Sequence, residues 1–558
     1  MRGGQAVAEV LVREGVEVVF CLPSNAMIDE AAARGIRPIV GREERSVINM
    51  ADAYTRMHDG RRIGVAMVQH GPGAEHAFGG IAQAYADSVP VLLLPSGMAR
   101  PRLGVRTTFD AVTAYRPVAK WTSRFDTAAT VPHQLRRAFQ KLRSGRPGPV
   151  VLEMPADVVS EEFDDELFDY TPPARPRSAA DPAEVTRAVD LLRAAERPII
   201  HVGQGVLWAR ASAALVEFAE LADAPVMTTY TAKSAFPENH PLAIGCGGVA
   251  ITPQIRDLLP DADLVFSVGA SLAKTLGSFP IPAGKTMIQA TNDPDDLSME
   301  YDLAAGLVGD AALVLGQLCA ELRSRGGAAG GMAGSAASGR AAGGLRGARA
   351  LVARARERAA SEWAAKLTSD EVPINPLRVV AEVIAATDPD HTVITHDSGY
   401  PRDHLAPHYI STVPRGYLGW GNSTPLGSSI GLALGAKAAA PDKTVIAFLG
   451  DAAFGQCGLE LETSVRCGLP LLCVLVNNSE MGNYEKLQPV AQDKFGIKYL
   501  SGRYTEVALA LGADAERIER PQDLAPALKR ALAAVQGGRT VLLEVITRPE
   551  AAFVRPLS

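Results

Sequence analysis

Asp451 follows an apolar run, Val445 to Leu449, and Asn478 follows the next, Leu471 to Val476. Between them there is room for a turn, a helix over Gly458 to Cys467 and the second strand. Strands joined through a helix pair in parallel. Both polar residues then stand at the carboxyl edge of one sheet, where α/β proteins bind ligands. A carboxylate, an amide oxygen and the backbone carbonyl of Glu480 form an oxygen set suited to a hard cation such as Mg²⁺, which also takes phosphate oxygens. The plain alternative is two unrelated strand ends, since Gly-Asp and Asn-Asn are common dipeptides. A short motif counts only when its context agrees.

A second acidic feature lies far away in the chain. Arg42-Glu43-Glu44 follows a strand ending at Val40 and opens a helix containing Ala51 to Arg56. The helix dipole alone favours acids there. The flanking residues say more: Gly64-Val65, Gly71-Pro72-Gly73-Ala74, Gly79, Asp87 and Pro90 complete a pattern that resembles the pyrimidine-binding domain of acetolactate synthases. Gly450-Asp451-Ala452 and Asn477-Asn478 likewise resemble the start and end of the thiamine diphosphate (ThDP) signature of that family, with Ala452 where glycine is commonest. Gly145 to Val150 and Phe236 to Leu242 extend the resemblance over nearly the whole chain.

The resemblance implies roles residue by residue. Glu44 would be the carboxylate that activates the coenzyme's aminopyrimidine, with Glu43 where a His is usual. Asp451, Asn478 and the Glu480 carbonyl would hold Mg²⁺. Leu426, in Pro425-Leu426-Gly427, would be the apolar prop that bends the coenzyme; the alternative is an ordinary core leucine. Pro23, Gly399, Tyr400, Ala452, Ala453, Met481 and Gly482 would add coenzyme contacts. Asn25 and His70 fall at substrate-facing positions, and His70 could relay a proton because its unperturbed pKa lies near working pH. A histidine hydrogen-bonded at a strand end is the competing reading.

Some residues depart from the family. Arg106-Thr107 replaces a Phe-Gln pair at the pyruvate site, and Ala156 stands where a Lys is expected. Gly269 to Leu272 and Thr291 to Pro294 lack the family's usual residues near FAD, which puts FAD in doubt. Gly203-Gln204-Gly205 is a weak GxG signal without the third glycine of a dinucleotide fingerprint, and reads as a tight turn. Arg106 suggests an additional anionic group on the substrate or acceptor, since guanidinium pairs well with carboxylate; a surface arginine is the alternative.

At 558 residues the chain is too long for one core. Strands alternating with helical patterns predict an α/β protein of three doubly wound parallel-sheet domains. The expected divisions are a pyrimidine-binding domain over 1–165, a central domain over 181–325, a flexible Gly/Ala-rich linker over 326–345 and a diphosphate- and Mg²⁺-binding domain over 370–550. A net charge of −6 with no basic stripe argues against nucleic acid. Six cysteines without a CxxC pair read as buried free thiols in a reducing cytoplasm. Glu9, Arg13 and Glu14 interrupt any signal-peptide core, and no apolar run is long enough to span a membrane.

The expected activity is therefore decarboxylation of a 2-oxo acid and transfer of the acyl anion equivalent to an aldehyde or ketone acceptor. The family builds each site between two subunits, which implies a homodimer or homotetramer. Three alternatives stay open: simple decarboxylation resembling benzoylformate decarboxylase, a catalytically silent ThDP-binding regulator, and a nicotinamide oxidoreductase using the central domain.

Overall fold

The structure is a computed structural model that describes residues 1–275, 277–326, 347–482 and 484–556. It contains three six-stranded sheets. The first comprises β1 (Val18–Cys21), β2 (Arg37–Val40), β3 (Gly64–Val68), β4 (Val91–Gly97), β5 (Trp121–Arg124) and β6 (Val150–Pro155). The second holds β7 (Pro198–Val202), β8 (Val226–Thr229), β9 (Ala243–Gly247), β10 (Leu264–Val268), β11 (Thr286–Thr291) and β12 (Ala305–Val308). The third holds β13 (Thr392–His396), β14 (Tyr417–Leu418), β15 (Thr444–Gly450), β16 (Leu472–Asn477), β17 (Asp514–Ile518) and β18 (Val541–Ile546). All pairings between these strands are parallel. Helices cover both faces, so β3, β7, β10, β13 and β16 are buried at every position.

The first sheet runs β2-β1-β3-β4-β6-β5 and the third β14-β13-β15-β16-β18-β17, the same path through space. The two halves of the expected site therefore sit on copies of one architecture, although no repeat is visible in the sequence. The central sheet runs β12-β11-β10-β7-β8-β9. Its strand order reverses between β7 and β10, the switch point of a classical dinucleotide-binding sheet.

Two contacts lock the first domain to the third. The helix Glu44–Met57 crosses the helix Ser429–Ala439 at two glycines: a Cβ on Gly435 would lie 2.1 Å from the Met50 carbonyl oxygen, and one on Gly431 would lie 2.9 Å from Asn49 Cβ. Nearby, the buried Arg56 pairs with Asp52 at 2.6 Å and Asp87 at 3.3 Å, and donates to Gly419 O at 3.0 Å. Asp87 in turn accepts from the backbone N–H groups of Gly421 and Asn422. A buried charge cluster of this kind is costly to break from one side, because the remaining partner stays desolvated.

The helix expected over Gly458 to Cys467 is present as Glu460–Arg466, and the turn expected before it is a further helix, Asp451–Cys457. All six cysteines are free; five are buried and Cys467 is half-buried. Apart from Gly326, the expected linker 326–345 lies outside the described residues. Among the described residues no helix is long and apolar enough to cross a membrane.

Candidate active site

The carboxyl edge of the third sheet carries the predicted metal and coenzyme residues on three consecutive strand ends. Asp397 and Gly399 follow β13, Asp451 follows β15, and Asn478 follows β16. Gly399, Tyr400, Leu426, Asp451, Ala452, Ala453, Asn478, Glu480, Met481 and Gly482 line a single crevice.

Asp451 is 2% exposed. Its Oδ1 accepts from the Ala452 N–H at 3.0 Å, and its Oδ2 is buried with no hydrogen-bond partner. Burial pushes its pKa up to about 6. An orphaned carboxylate oxygen beside an amide oxygen is what a cation site looks like without its cation, because a desolvated carboxylate otherwise finds a donor. The Asn478 Oδ1 accepts from the Glu480 N–H at 3.1 Å, a local turn that fixes the amide oxygen beside the loop. Ser479 between them sits at φ 55°. The Glu480 carboxylate is held by Lys498 at 3.2 Å. No group of three His, Cys, Asp or Glu side chains able to hold a metal occurs among the described residues. A mixed set of acid, amide and carbonyl fits Mg²⁺ shared with phosphate oxygens.

Backbone geometry explains the glycines here. Gly399 has φ 89° and ψ −159°, a region essentially closed to other residues, and it caps the helix Tyr400–His408. A Cβ on Gly482 would fall 2.2 Å from the Tyr400 ring, which stacks on His404. Asp397 is fully buried and organises the rest. Its Oδ1 accepts from Ser398 and Gly427 at 2.8 and 2.9 Å, and its Oδ2 from Ser428 and Ser429 at 2.9 and 3.0 Å. One carboxylate thus ties the end of β13 to the turn that presents the half-buried Leu426.

In the first domain, Glu44 is the first residue of its helix and Glu43 caps it, accepting from the Ser46 N–H at 2.9 Å. Glu44 is 7% exposed; its Oε2 lies 3.3 Å from His76 Nδ1, and a Cβ on Gly73 would sit 3.4 Å from its Oε1. Tyr115, buried beside it, donates to Ala74 O; burial, and Glu44 after it, push the phenol pKa up. The neighbouring Arg45 donates to Leu426 O at 3.0 Å and is the one first-domain residue lining the crevice.

Glu44, Pro23, Asn25 and His70 do not line the crevice within the chain. Pro23 and His70 are exposed beyond the ends of β1 and β3. Asn25 is buried and fully engaged: its amide nitrogen donates to Val68 O and Leu94 O, and its oxygen accepts from the Met27 N–H. That strap holds the end of β3 and the middle of β4 to the loop after β1. Arg106 is exposed, next to Thr107 at φ 77°. In the central domain a Cβ on Gly203 would lie 2.2 Å from Gly269 O, and Gly205 donates to that same oxygen. The GxG is a tight turn packed on its neighbour.

Sequence reasoning missed Arg45, His76 and Asp397. Arg45 adjoins Glu44, and Asp397 ends a strand before Ser-Gly, so position gave a signal for both. Nothing in the sequence marks His76 apart from its place one turn into the helix Pro72–Ala86.

Comparison with known proteins finds three domain models in order along the chain. Residues 1–115 match the thiamine pyrophosphate enzyme N-terminal TPP binding domain, 185–318 the central domain, and 397–545 the C-terminal TPP binding domain. A glyoxylate carboligase of Escherichia coli O157:H7 is 32% identical, covering 98% of this chain and 93% of its own length. A probable acetolactate synthase large subunit of Methanococcus aeolicus is 27% identical over 95% of this chain and 90% of its own. Acetolactate synthase isozyme 3 large subunit of Escherichia coli K12 is 28% identical over 98% and 94%. With three matched domains in chain order and relatives similar along nearly their full length, the chain belongs to the thiamine diphosphate-dependent enzymes of the acetolactate synthase family.

Proposed function

We propose that the protein is a ThDP- and Mg²⁺-dependent carboligase that decarboxylates a 2-oxo acid and joins the remaining acyl unit to a carbonyl acceptor. The orphaned, buried Asp451 Oδ2 beside Asn478 carries the reading. ThDP supplies a carbon nucleophile and an electron sink for CO₂ release. The chain's own residues do the rest. Asp451, Asn478 and the Glu480 carbonyl would hold the metal, which would supply positive charge for the diphosphate. Gly399 and Gly482 leave room beside Tyr400 for the coenzyme, and Leu426 props it. Glu44 would exchange a proton with the pyrimidine ring; the side chain is buried, with one carboxyl oxygen over Gly73. Flavin has no part in this proposal.

The site is completed between two copies of the chain. Support comes from the crevice lining: Arg45 borders it, but Glu44 and His70 do not. A second copy would bring its first domain over the Asp451 crevice, so we infer a homodimer or a homotetramer. The free, mostly buried cysteines suit a reducing cytoplasm.

A panel of 2-oxo acids assayed for CO₂ release, with and without aldehyde acceptors, tests the reading. A carboligase releases CO₂ only with ThDP and Mg²⁺ and yields a new hydroxy-ketone. Aldehyde as the sole product makes the protein a simple decarboxylase. Coenzyme binding without CO₂ release from any member makes it a silent regulator.

A further inference from the structure

We propose that Arg45 is a positioning residue for the coenzyme: from the first domain it sets the turn of the third domain that presents Leu426 to the crevice. The inference rests on the reading of Leu426 as the coenzyme's prop and adds what holds that prop in place.

Asp397 pins the amide side of the turn, through the N–H groups of Gly427, Ser428 and Ser429. The carbonyl side is held from the first domain. Arg45 Nη1 donates to Leu426 O at 3.0 Å, and both terminal nitrogens reach Gln456 Oε1 at 3.4 Å. Gln456 belongs to the helix Asp451–Cys457, so one guanidinium bridges the prop turn and the helix that begins at the metal carboxylate. Gln83, also of the first domain, adds a second hold. Its Oε1 accepts from Ser428 Oγ at 3.1 Å and from Asn49 Nδ2 at 3.0 Å.

The fit around the guanidinium is close. A Cβ on Gly427, at φ 83°, would lie 2.8 Å from Arg45 Nη2 and 2.6 Å from Gln456 Cβ. Arg45 Nε is buried without a hydrogen-bond partner, and the Glu43 carboxylate stands 3.9 Å from it. A buried donor left unpaired costs stability, so this is a poor device for merely gluing two domains. The domains are already locked through Gly431, Gly435 and the Arg56 cluster, none of which lines the crevice. Arg45 and Leu426 both line it. What the arginine adds is local: a planar fork engages two acceptors at once in one fixed geometry, which a lysine ammonium does not reproduce. A prop displaced by about 1 Å would change the bend of the coenzyme, and a misplacement of that size costs about a hundredfold in rate.

Wild type, Arg45→Ala and Arg45→Lys, each checked for folding by circular dichroism, are compared in two measurements. Hydrogen–deuterium exchange of the coenzyme-free protein reads the turn itself. Amides of residues 424–429 should exchange about tenfold faster in Arg45→Ala, the effect of one lost charge-assisted hydrogen bond on local opening. Arg45→Lys can keep one acceptor and should fall between, and it carries the test if the alanine variant does not fold. Exchange of the thiazolium C2 proton with heavy water, followed by NMR on the holoenzyme without substrate, reads the bend. It should slow by about ten- to a hundredfold in Arg45→Ala and recover in part in Arg45→Lys, while ThDP affinity by calorimetry stays nearly unchanged. Unaltered turn exchange, or unaltered C2 exchange, overturns the role. So does a loss confined to ThDP affinity, which would make Arg45 a binding residue. A wild type that takes up no ThDP fails differently: it removes the coenzyme reading, and turn exchange still decides whether Arg45 sets Leu426.

Discussion

Glu44 and His76 face each other across 3.3 Å on two helices of the first domain, and neither borders the Asp451 crevice of the same chain. His76 holds one oxygen of the carboxyl, and the other lies where a side chain on residue 73 would crowd it. Glu44→Gln preserves that shape but cannot exchange a proton. Turnover should fall by about 10²–10⁴, the usual contribution of a positioned acid–base group. ThDP affinity, measured by calorimetry, should stay within a few-fold. Turnover near the wild-type rate would show that another carboxyl does this work.

Asp397 should be a positioning residue without which the third domain cannot present Leu426. Four backbone N–H groups converge on its two oxygens. Asp397→Asn turns an amide N–H₂ toward some of those donors, and each buried donor left unmade costs about 1–3 kcal/mol. Urea unfolding of the coenzyme-free protein should show a loss of a few kcal/mol, and ThDP should bind more weakly. An unchanged unfolding midpoint would mean that the turn holds itself.

How much of this was readable beforehand follows from burial. β7 and β10 are legible in the sequence because a strand covered on both faces is a nearly continuous apolar run, here broken by His201 and Ser267 alone. β5, Trp-Thr-Ser-Arg, and β17, Asp-Ala-Glu-Arg-Ile, lie at sheet edges and are mostly half-buried, so they carry neither that run nor clean alternation. The crevice residues were legible because strand ends fix their placement. The Asp397 hub was not, because its partners, Gly427 to Ser429, come from a turn that only tertiary packing brings back to β13. Asn25 stands out in the sequence only through the family resemblance, because its hydrogen bonds to β3 and β4 depend on strand neighbours that the sequence does not name.

Acid should weaken the fold partly through His201. It is 5% exposed on β7, bonded to Ser267 at 3.1 Å, and burial alone pushes its pKa down to about 4. The unfolded chain, with an ordinary imidazole near 6.5, binds more protons between those values, so this contribution is complete above about pH 6.5 and is lost as pH falls toward 4. The full effect is on the order of 3 kcal/mol. His201→Asn keeps a partner for Ser267 and removes the titration. The stability difference between wild type and variant, from urea melts, should therefore shrink as pH falls from 7 to 4. A constant difference would show that His201 is not held neutral.

Asp451 makes the opposite case, a carboxyl raised by burial to about 6 in the absence of a cation. Between the unfolded value near 3.8 and that pKa the folded protein binds the extra proton, so without metal stability declines as pH rises through this window. Above it, the buried charge is a standing penalty. Asp451→Asn removes the charge while keeping the shape, so at pH 8 the coenzyme-free variant should melt at or above the wild-type temperature. Adding ThDP and Mg²⁺ reverses the order. Wild type gains stability by mass action, about 2.7 kcal/mol at a hundred times Kd, while the variant, with one anionic ligand fewer, gains little. Differential scanning fluorimetry with Mg²⁺ alone, ThDP alone and both together measures this. An equal upward shift in the two proteins would place the cation somewhere other than the end of β15.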